Sequence, residues 1–141
     1  MKTQSHKNKN IAFHLEAEGH AKTNPILLRI SITSEYTKVD FGYTTSDIYI
    51  RGGWIKISPN TFIENASNKK RYKMIDASGI TIAPKKHNFK SNKDWQYYSL
   101  YFEPMEQKDC ILNIIEKENG TLNDFNYYNI EIKMSEGLEI M

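Results

Sequence analysis

Short runs in which apolar and polar residues alternate at every second position recur along this 141-residue chain. Residues 28–32, 39–43 and 98–102 are examples, and turn-forming residues follow many of these runs. Successive side chains of a β-strand point to opposite faces, so this period is typical of strands with one buried face. No window long enough for a helix shows the helical period together with capping residues. The sequence therefore predicts an all-β protein.

The number and spacing of these runs predict about 7–9 short strands in an antiparallel β-sandwich, with a β-barrel as the alternative. The length is that of one domain. We expect this domain at residues 25–134, where the alternation is sustained. Residues 1–24 are predicted to be a polar segment or an edge strand, and residues 135–141 a C-terminal tail.

Two positions have an expected structural role. Glu116 directly follows the apolar run 111–115, which is predicted to be a central strand buried on both faces. We interpret Glu116 as a strand-end carboxylate that accepts backbone or tyrosine hydrogen bonds, and a functional role is the alternative. Gly79 ends a predicted turn at residues 76–79, where a positive φ favours glycine.

The single cysteine, Cys110, excludes an internal disulfide framework. It adjoins Ile111 in a predicted strand, so we interpret it as a small buried hydrophobe. A reactive thiol needs a lowered pKa, whereas the neighbouring Asp109 would raise the pKa of this thiol. The sequence therefore predicts an inert cysteine.

The residue patterns of common catalytic and metal sites are missing from the sequence. It contains no GxSxG, HExxH or phosphate-binding GxxxxGK[ST] pattern. His14 and His20, with Glu16 and Glu18 between them, would share one strand face over about 20 Å, too far for one ion. We predict no catalytic residue, no metal site and no cofactor. An enzyme whose site cannot be read from the sequence is one alternative.

Basic residues are concentrated in the first part of the chain. Residues 1–102 carry 16 Lys and Arg against 8 Asp and Glu, and residues 103–141 carry 3 against 9. Lysine-rich loops at 69–93 precede Trp95, Tyr97 and Tyr98, a mixture typical of single-strand nucleic-acid surfaces. Nucleic-acid binding through these loops is therefore another alternative. The net charge of only +2 and the scarcity of arginine favour a solvated lysine-rich edge instead.

The sequence does not fix a compartment. No stretch approaches the ~18 apolar residues of a membrane span. The basic, polar residues 1–10 are not followed by the apolar segment of a signal peptide. The expected location is cytoplasmic for the chain as it stands, and the cell envelope or exterior if an upstream signal has been removed.

Several segments share a likeness that is more specific together than singly. They are Thr37-Lys38-Val39-Asp40-Phe41, Gly53-Trp54-Ile55-Lys56-Ile57 with Thr61-Phe62-Ile63, residues 72–80, Lys86-His87, Leu100-Tyr101-Phe102-Glu103-Pro104, Ile114-Ile115-Glu116 and Phe125-Asn126-Tyr127-Tyr128. In this order they resemble a family of uncharacterised β-rich modules common in Bacteroidetes bacteria. The resemblance implies an immunoglobulin-like sandwich, often found in exported or envelope proteins, and no established activity.

The chain has nine tyrosines, six phenylalanines and two tryptophans, more aromatic residues than one small core needs. Tyrosine suits contact surfaces because it combines a large area with a hydroxyl and few rotatable bonds. The tyrosines that are predicted to face away from the core would form one patch beside the lysine-rich loops, if their strands are neighbours. The predicted binding residues are Tyr97, Tyr101, Tyr127, Lys85 and Lys86. We therefore predict a non-catalytic interaction or ligand-binding module, whose partner is a protein, a glycan or a second copy.

Overall fold

The structure, a computed structural model, describes residues 9–19, 25–44, 54–79, 81–82, 87–88, 95–117 and 125–140. The strands are β1 (Asn10–Ala17), β2 (Ile26–Ile32), β3 (Thr37–Thr44), β4 (Trp54–Ile57), β5 (Phe62–Asn65), β6 (Arg71–Ser78), β7 (Thr81–Ile82), β8 (His87–Asn88), β9 (Trp95–Phe102), β10 (Cys110–Ile115), β11 (Tyr127–Ile132) and β12 (Leu138–Ile140). One 3-10 turn, Met134–Glu136, precedes β12, and these ranges contain no α-helix. The all-β prediction is therefore confirmed. Within the same ranges, no helix is long and apolar enough to cross a membrane.

Nine strands form one antiparallel sheet in the order β11-β10-β5-β6-β9-β3-β2-β1-β12. The sheet is strongly curled into a half-barrel. The three short strands β7, β4 and β8 form a separate group in that order. Because the large sheet curls, one of its faces encloses the core and the other faces outward.

Aromatic contacts across the core show how far the sheet curls. Phe41 of β3 stacks on Tyr98 of the neighbouring β9, with ring centroids 5.0 Å apart. Tyr127 of β11 lies 5.3 Å from the same Phe41 ring, although β11 is at the far edge of the sheet. Its hydroxyl also donates to the carbonyl of Pro25, just before β2. The curl therefore brings the β11 edge over the central strands.

Strand alternation assigns the faces correctly in β3 and β9. Val39 and Phe41 are buried in β3, as are Tyr98, Leu100 and Phe102 in β9. The residues between them lie on the outer face, so Asp40 and Ser99 point away from the core. The structure confirms the predicted phase of both strands.

Two of the strand predictions are wrong in detail. Residues 76–78 continue strand β6, and only Gly79 has the turn conformation, with φ of 80°. Strand β10 is buried on both faces only at its end, where Ile114 and Ile115 are both buried, whereas Ile111 is 40% exposed. The reason is that Ile111 lies on the outer face of the curled sheet, which is open to solvent at this position.

Both ends of the described chain belong to the sheet. Residues 10–17 form β1, which lies between β2 and β12 and buries Phe13 in the core. Within the segment 135–141, residues 138–140 form β12, which pairs with β1 in the register Asn10 to Ile140. Strands β1 and β12 thus stabilise each other at one edge of the sheet.

Candidate functional site

A row of polar residues crosses five neighbouring strands on the outer face of the sheet. The strand register pairs His14 of β1 with Arg29 of β2, and Arg29 with Asp40 of β3. It continues from Asp40 to Ser99 of β9, and from Ser99 to Ser78 of β6. Side chains that lie opposite each other on adjacent strands are close enough to interact. We call these five residues the polar row.

The polar row lines an open groove of about 520 Å³. Two β-bulges lie beneath this groove. The pairing of β1 with β2 shifts between His14 and Ala17, and that of β2 with β3 shifts between Leu27 and Arg29. A bulge bends its strand and increases the local twist, which makes a flat sheet surface uneven. Leu28, the extra residue of the second bulge, also lines the groove.

Asp40 is the centre of the charge and hydrogen-bond network in the groove. Its Oδ1 accepts a 2.5 Å hydrogen bond from the Ser99 hydroxyl, and its Oδ2 accepts one of 2.8 Å from Arg29 Nε. The Lys38 ammonium lies 3.8 Å from Oδ1. The side chain of Asp40 is 16% exposed and that of Arg29 is 42% exposed. The carboxylate therefore anchors a guanidinium that reaches into the groove.

The described lining of the groove has an excess of positive charge. Arg29 and Lys38 are opposed there by Asp40 alone, so these three side chains carry a net charge of about +1 at neutral pH. The hydrogen bond from Arg29 to Asp40 uses only the Nε atom of the guanidinium. The Nη edge, which can form two parallel hydrogen bonds to an anion, is not committed to Asp40.

Two of the predicted binding residues, Tyr97 and Tyr101, lie on the outer face of β9. Tyr97 lines the groove and is 66% exposed. Tyr101 is half-buried, since its ring packs edge-on against Tyr36 at 5.3 Å. Lys38 Nζ lies 5.8 Å from the centre of the Tyr101 ring. Tyr97 thus adds an exposed aromatic ring to the lining of the groove, and Tyr101 supports a cation that lines it.

Tyr127 is fully buried, so the prediction that it is exposed is wrong. Asn129 has a φ of 58°, and the pairing of β11 with β10 shifts at this point, so β11 contains a bulge. The bulge reverses the phase of the strand, which turns Tyr127 inward and leaves Tyr128 47% exposed. In addition, β10, β5 and β6 separate β11 from β9, so the predicted tyrosines do not form one patch.

Lys85 and Lys86 lie outside the described residues, together with part of the lysine-rich segment 69–93. In the described part of that segment, Arg71 forms a 3.2 Å ion pair with Glu64. The ammonium of Lys70 lies 5.3 Å from the centre of an aromatic ring. These two cations therefore have local partners in the β5–β6 hairpin.

Glu116 holds two loops together. Its Oε2 accepts a hydrogen bond from the backbone N–H of Ser58 at 2.8 Å, and its Oε1 accepts one from Phe125 at 2.9 Å. Its own backbone N–H donates to the side chain of the buried Asn126 at 2.8 Å. The interpretation of Glu116 as a strand-end carboxylate that accepts backbone hydrogen bonds is confirmed.

The environment of Cys110 disfavours the thiolate. The side chain is half-buried, and burial raises the pKa of its thiol. Asp109 raises the pKa further, whereas Lys108 lowers it. Among the residues that the structure describes, no group of three or more His, Cys, Asp or Glu side chains could hold a metal ion.

The sequence did not identify Arg29, Lys38, Asp40 or Ser99 as site residues. Each occupies an outward position of an alternating strand, which marks it as exposed but not as part of a cluster. Only the register of the strands brings them together. No protein-family model, curated protein or solved structure matches the chain. The groove is therefore interpreted from its own chemistry.

Proposed function

We propose that this chain is a non-catalytic binding module that holds its ligand in the groove over the polar row. The observation that carries this proposal is the network around Asp40, which orients Arg29 before any ligand arrives. A site whose polar groups are already held in place loses less entropy when it binds. The exposed Tyr97 beside it adds contact area together with a hydroxyl.

The spacing of the polar row supports binding rather than nucleophilic catalysis. A serine nucleophile needs a base within hydrogen-bond distance. His14 and Ser99 are separated in the row by Arg29 and Asp40, a span of three strand spacings or roughly 14 Å. The hydroxyl of Ser99 donates to Asp40, which is paired with two cations. In this arrangement Ser99 serves to position the carboxylate.

The likeness to immunoglobulin-like sandwich modules of Bacteroidetes is part of the same proposal. It is supported by the all-β architecture and by the antiparallel order of the large sheet. A module of this kind presents a rigid sheet face to its partner. In the proposal that partner is a protein, a glycan or a second copy of the chain.

The test is a nuclear magnetic resonance screen of the labelled protein with sugars, acetylated amino acids and mononucleotides. We expect shifts from a bound probe to cluster at the backbone amides of Arg29, Asp40 and Ser99. The variant Ser78→Trp fills the groove and should abolish them. Its control Ser67→Trp, on an exposed turn outside the groove, should leave them unchanged.

The bound probe should also be recovered chemically unchanged after long incubation. A screen in which no probe shifts the groove amides would contradict the binding function. Recovery of a converted product, at a rate that Ser78→Trp abolishes, would contradict the non-catalytic assignment.

A further inference from the structure

Resting on the proposed binding function, we propose that the groove recognises a sugar acid, the carboxylate-bearing uronic acid unit of an acidic glycan. Arg29 and Lys38 hold the carboxylate of the sugar. Asp40 and Ser78 bind its hydroxyl groups, and Tyr97 packs against one face of its ring.

The charge of the groove fits a ligand with one negative charge. Arg29 and Lys38 lie on two sides of Asp40, which neutralises only one of them. The Nη edge of Arg29 has the planar geometry that matches a carboxylate in two parallel hydrogen bonds. A phosphate monoester carries about −1.5 to −2 charges at pH 7 and would exceed the positive charge beside Asp40. A carboxylate carries one negative charge and balances the net positive charge of Arg29, Lys38 and Asp40.

The groove also offers acceptors, which a simple carboxylate ligand could not use. A carboxylate has about four lone-pair sites, and the hydrogen bonds to Asp40 from Ser99 and Arg29 occupy two of them. The hydroxyl of Ser78, on the same polar row, can both donate and accept. A ligand that carries hydroxyl groups next to its carboxylate satisfies both kinds of group. Sugar acids have this combination.

The position of the groove within the sheet disfavours an extended peptide. Peptides that bind sheets commonly add a strand to a free edge through main-chain hydrogen bonds. The centre of the groove lies over β2, β3 and β9, and each of these strands has a paired neighbour on both sides. Over these three strands recognition must come from side chains alone. This suits a ligand that presents its own polar groups.

Tyr97 gives the site an aromatic surface beside the charged cluster. It is 66% exposed, and it lies on β9 two residues from Ser99. The phenol ring combines an apolar face with a polar tip, so it can pack against the C–H face of a sugar ring and also form a hydrogen bond. A nucleic acid could also stack there, but its successive phosphates would meet the carboxylate of Asp40.

The experiment compares oligosaccharides of galacturonate, glucuronate or mannuronate with their methyl esters by isothermal titration calorimetry. Esterification removes the charge and keeps the sugar. We expect at least one of the acids to bind, and its ester to bind about tenfold more weakly or worse. Added salt should weaken the binding of the acid more than that of the ester, because salt screens the attraction between charges.

Variants assign the binding to the groove. Arg29→Gln and Lys38→Gln should each weaken the binding of the acid by about tenfold. Tyr97→Ser should weaken the binding of the acid and of the ester alike. Arg29→Lys keeps the charge without the planar fork and should fall between Arg29→Gln and the native protein. Lys69→Gln removes a charge from an exposed turn outside the groove and should change nothing. If Arg29→Gln does not fold, the affinities of Lys38→Gln and Tyr97→Ser for the acid and the ester show whether binding is at the groove.

The outcomes separate the inference from the binding function. Equal binding of acid and ester at the groove overturns the sugar-acid assignment and leaves the binding function intact. If the groove binds a tri-aspartate peptide and binds no uronate, the sugar-acid assignment is likewise overturned and the binding function remains. Loss of uronate binding that is as large in Lys69→Gln as in Lys38→Gln also overturns it. If no probe of any class shifts the groove amides, both proposals fail.

Discussion

At the scale of single residues, two carboxylates of this protein have different roles because their hydrogen-bond donors differ. Glu116 is 9% exposed and accepts from the backbone N–H groups of two loops. Asp40 accepts from the side chains of Ser99 and Arg29, on the outer face of the sheet. Backbone donors fix the chain, whereas Arg29 binds Asp40 through Nε and keeps its Nη groups for a ligand. Glu116 is therefore structural, and Asp40 belongs to the proposed site.

Replacing Glu116 tests this assignment. In Glu116→Ala the N–H groups of Ser58 and Phe125 lose their acceptor, and we expect a loss of about 1–3 kcal/mol in the free energy of unfolding. Urea denaturation followed by circular dichroism measures it. Glu116→Gln retains one oxygen acceptor and should lose less. The control Glu35→Ala, on an exposed hairpin, should stay within about 0.5 kcal/mol of the native protein. Equal stability of the two alanine variants would contradict the structural role.

The role of Glu116 could be predicted from the sequence because its position at the end of an apolar run is local information. The network of Asp40 could not, since its hydrogen bond to Ser99 joins residues 59 positions apart. Alternation marks both side chains as outward-facing. It contains nothing about which outward residues of β3 and β9 become neighbours, because that depends on the register.

At the scale of elements, β-bulges decide where the alternation rule holds. The pairing of β3 with β9 is continuous from Thr37 to Thr44, and both strands have the predicted faces. In β11 the bulge at Asn129 reverses the phase and puts Tyr127 in the core. Asparagine tolerates the left-handed conformation better than most residues, so its presence inside an alternating run was the available signal.

A second element-scale feature is the packing of Gly137 on β1, just before β12. A Cβ atom at this position would overlap Ile11 Cγ2 and lie 2.8 Å from Phe13 Cε2. The φ of Gly137 is −77°, so the backbone itself accepts alanine and the obstacle is space. Because extra atoms in a tight contact displace their neighbours, Gly137→Ala should lower the free energy of unfolding by about 1–3 kcal/mol.

Urea denaturation of Gly137→Ala, beside the control Ser135→Ala, measures this effect. Ser135 is exposed and only two residues away, so its replacement should have little influence. If both variants match the native protein, residue 137 does not pack against β1 as the structure has it.

At the scale of the whole molecule, strands from distant parts of the sequence close one core. The first and last described strands, β1 and β12, pair with each other, and Tyr127 of β11 reaches Phe41 in the central strands. Composition alone favours a domain that begins near residue 25, because the first 24 residues are polar. The curled sheet makes β1 an internal strand instead, with β2 on one side and β12 on the other.

The substitution Phe13→Ala tests how much the core depends on β1. The side chain of Phe13 is 3% exposed and belongs to the main hydrophobic cluster, so Phe13→Ala should lower the free energy of unfolding by about 3–5 kcal/mol. Glu16→Ala, at an exposed position of the same strand, is the matched control and should change it by less than about 0.5 kcal/mol.

Removal of residues 1–24 is the larger test of the same dependence. The free energy of unfolding of a small domain is only about 5–15 kcal/mol in total. The truncation removes Phe13 and also leaves β12 without its partner, so it should abolish the cooperative unfolding transition seen by circular dichroism. A truncated chain that unfolds at the native urea midpoint would show instead that residues 25–134 form the self-sufficient domain that composition predicts.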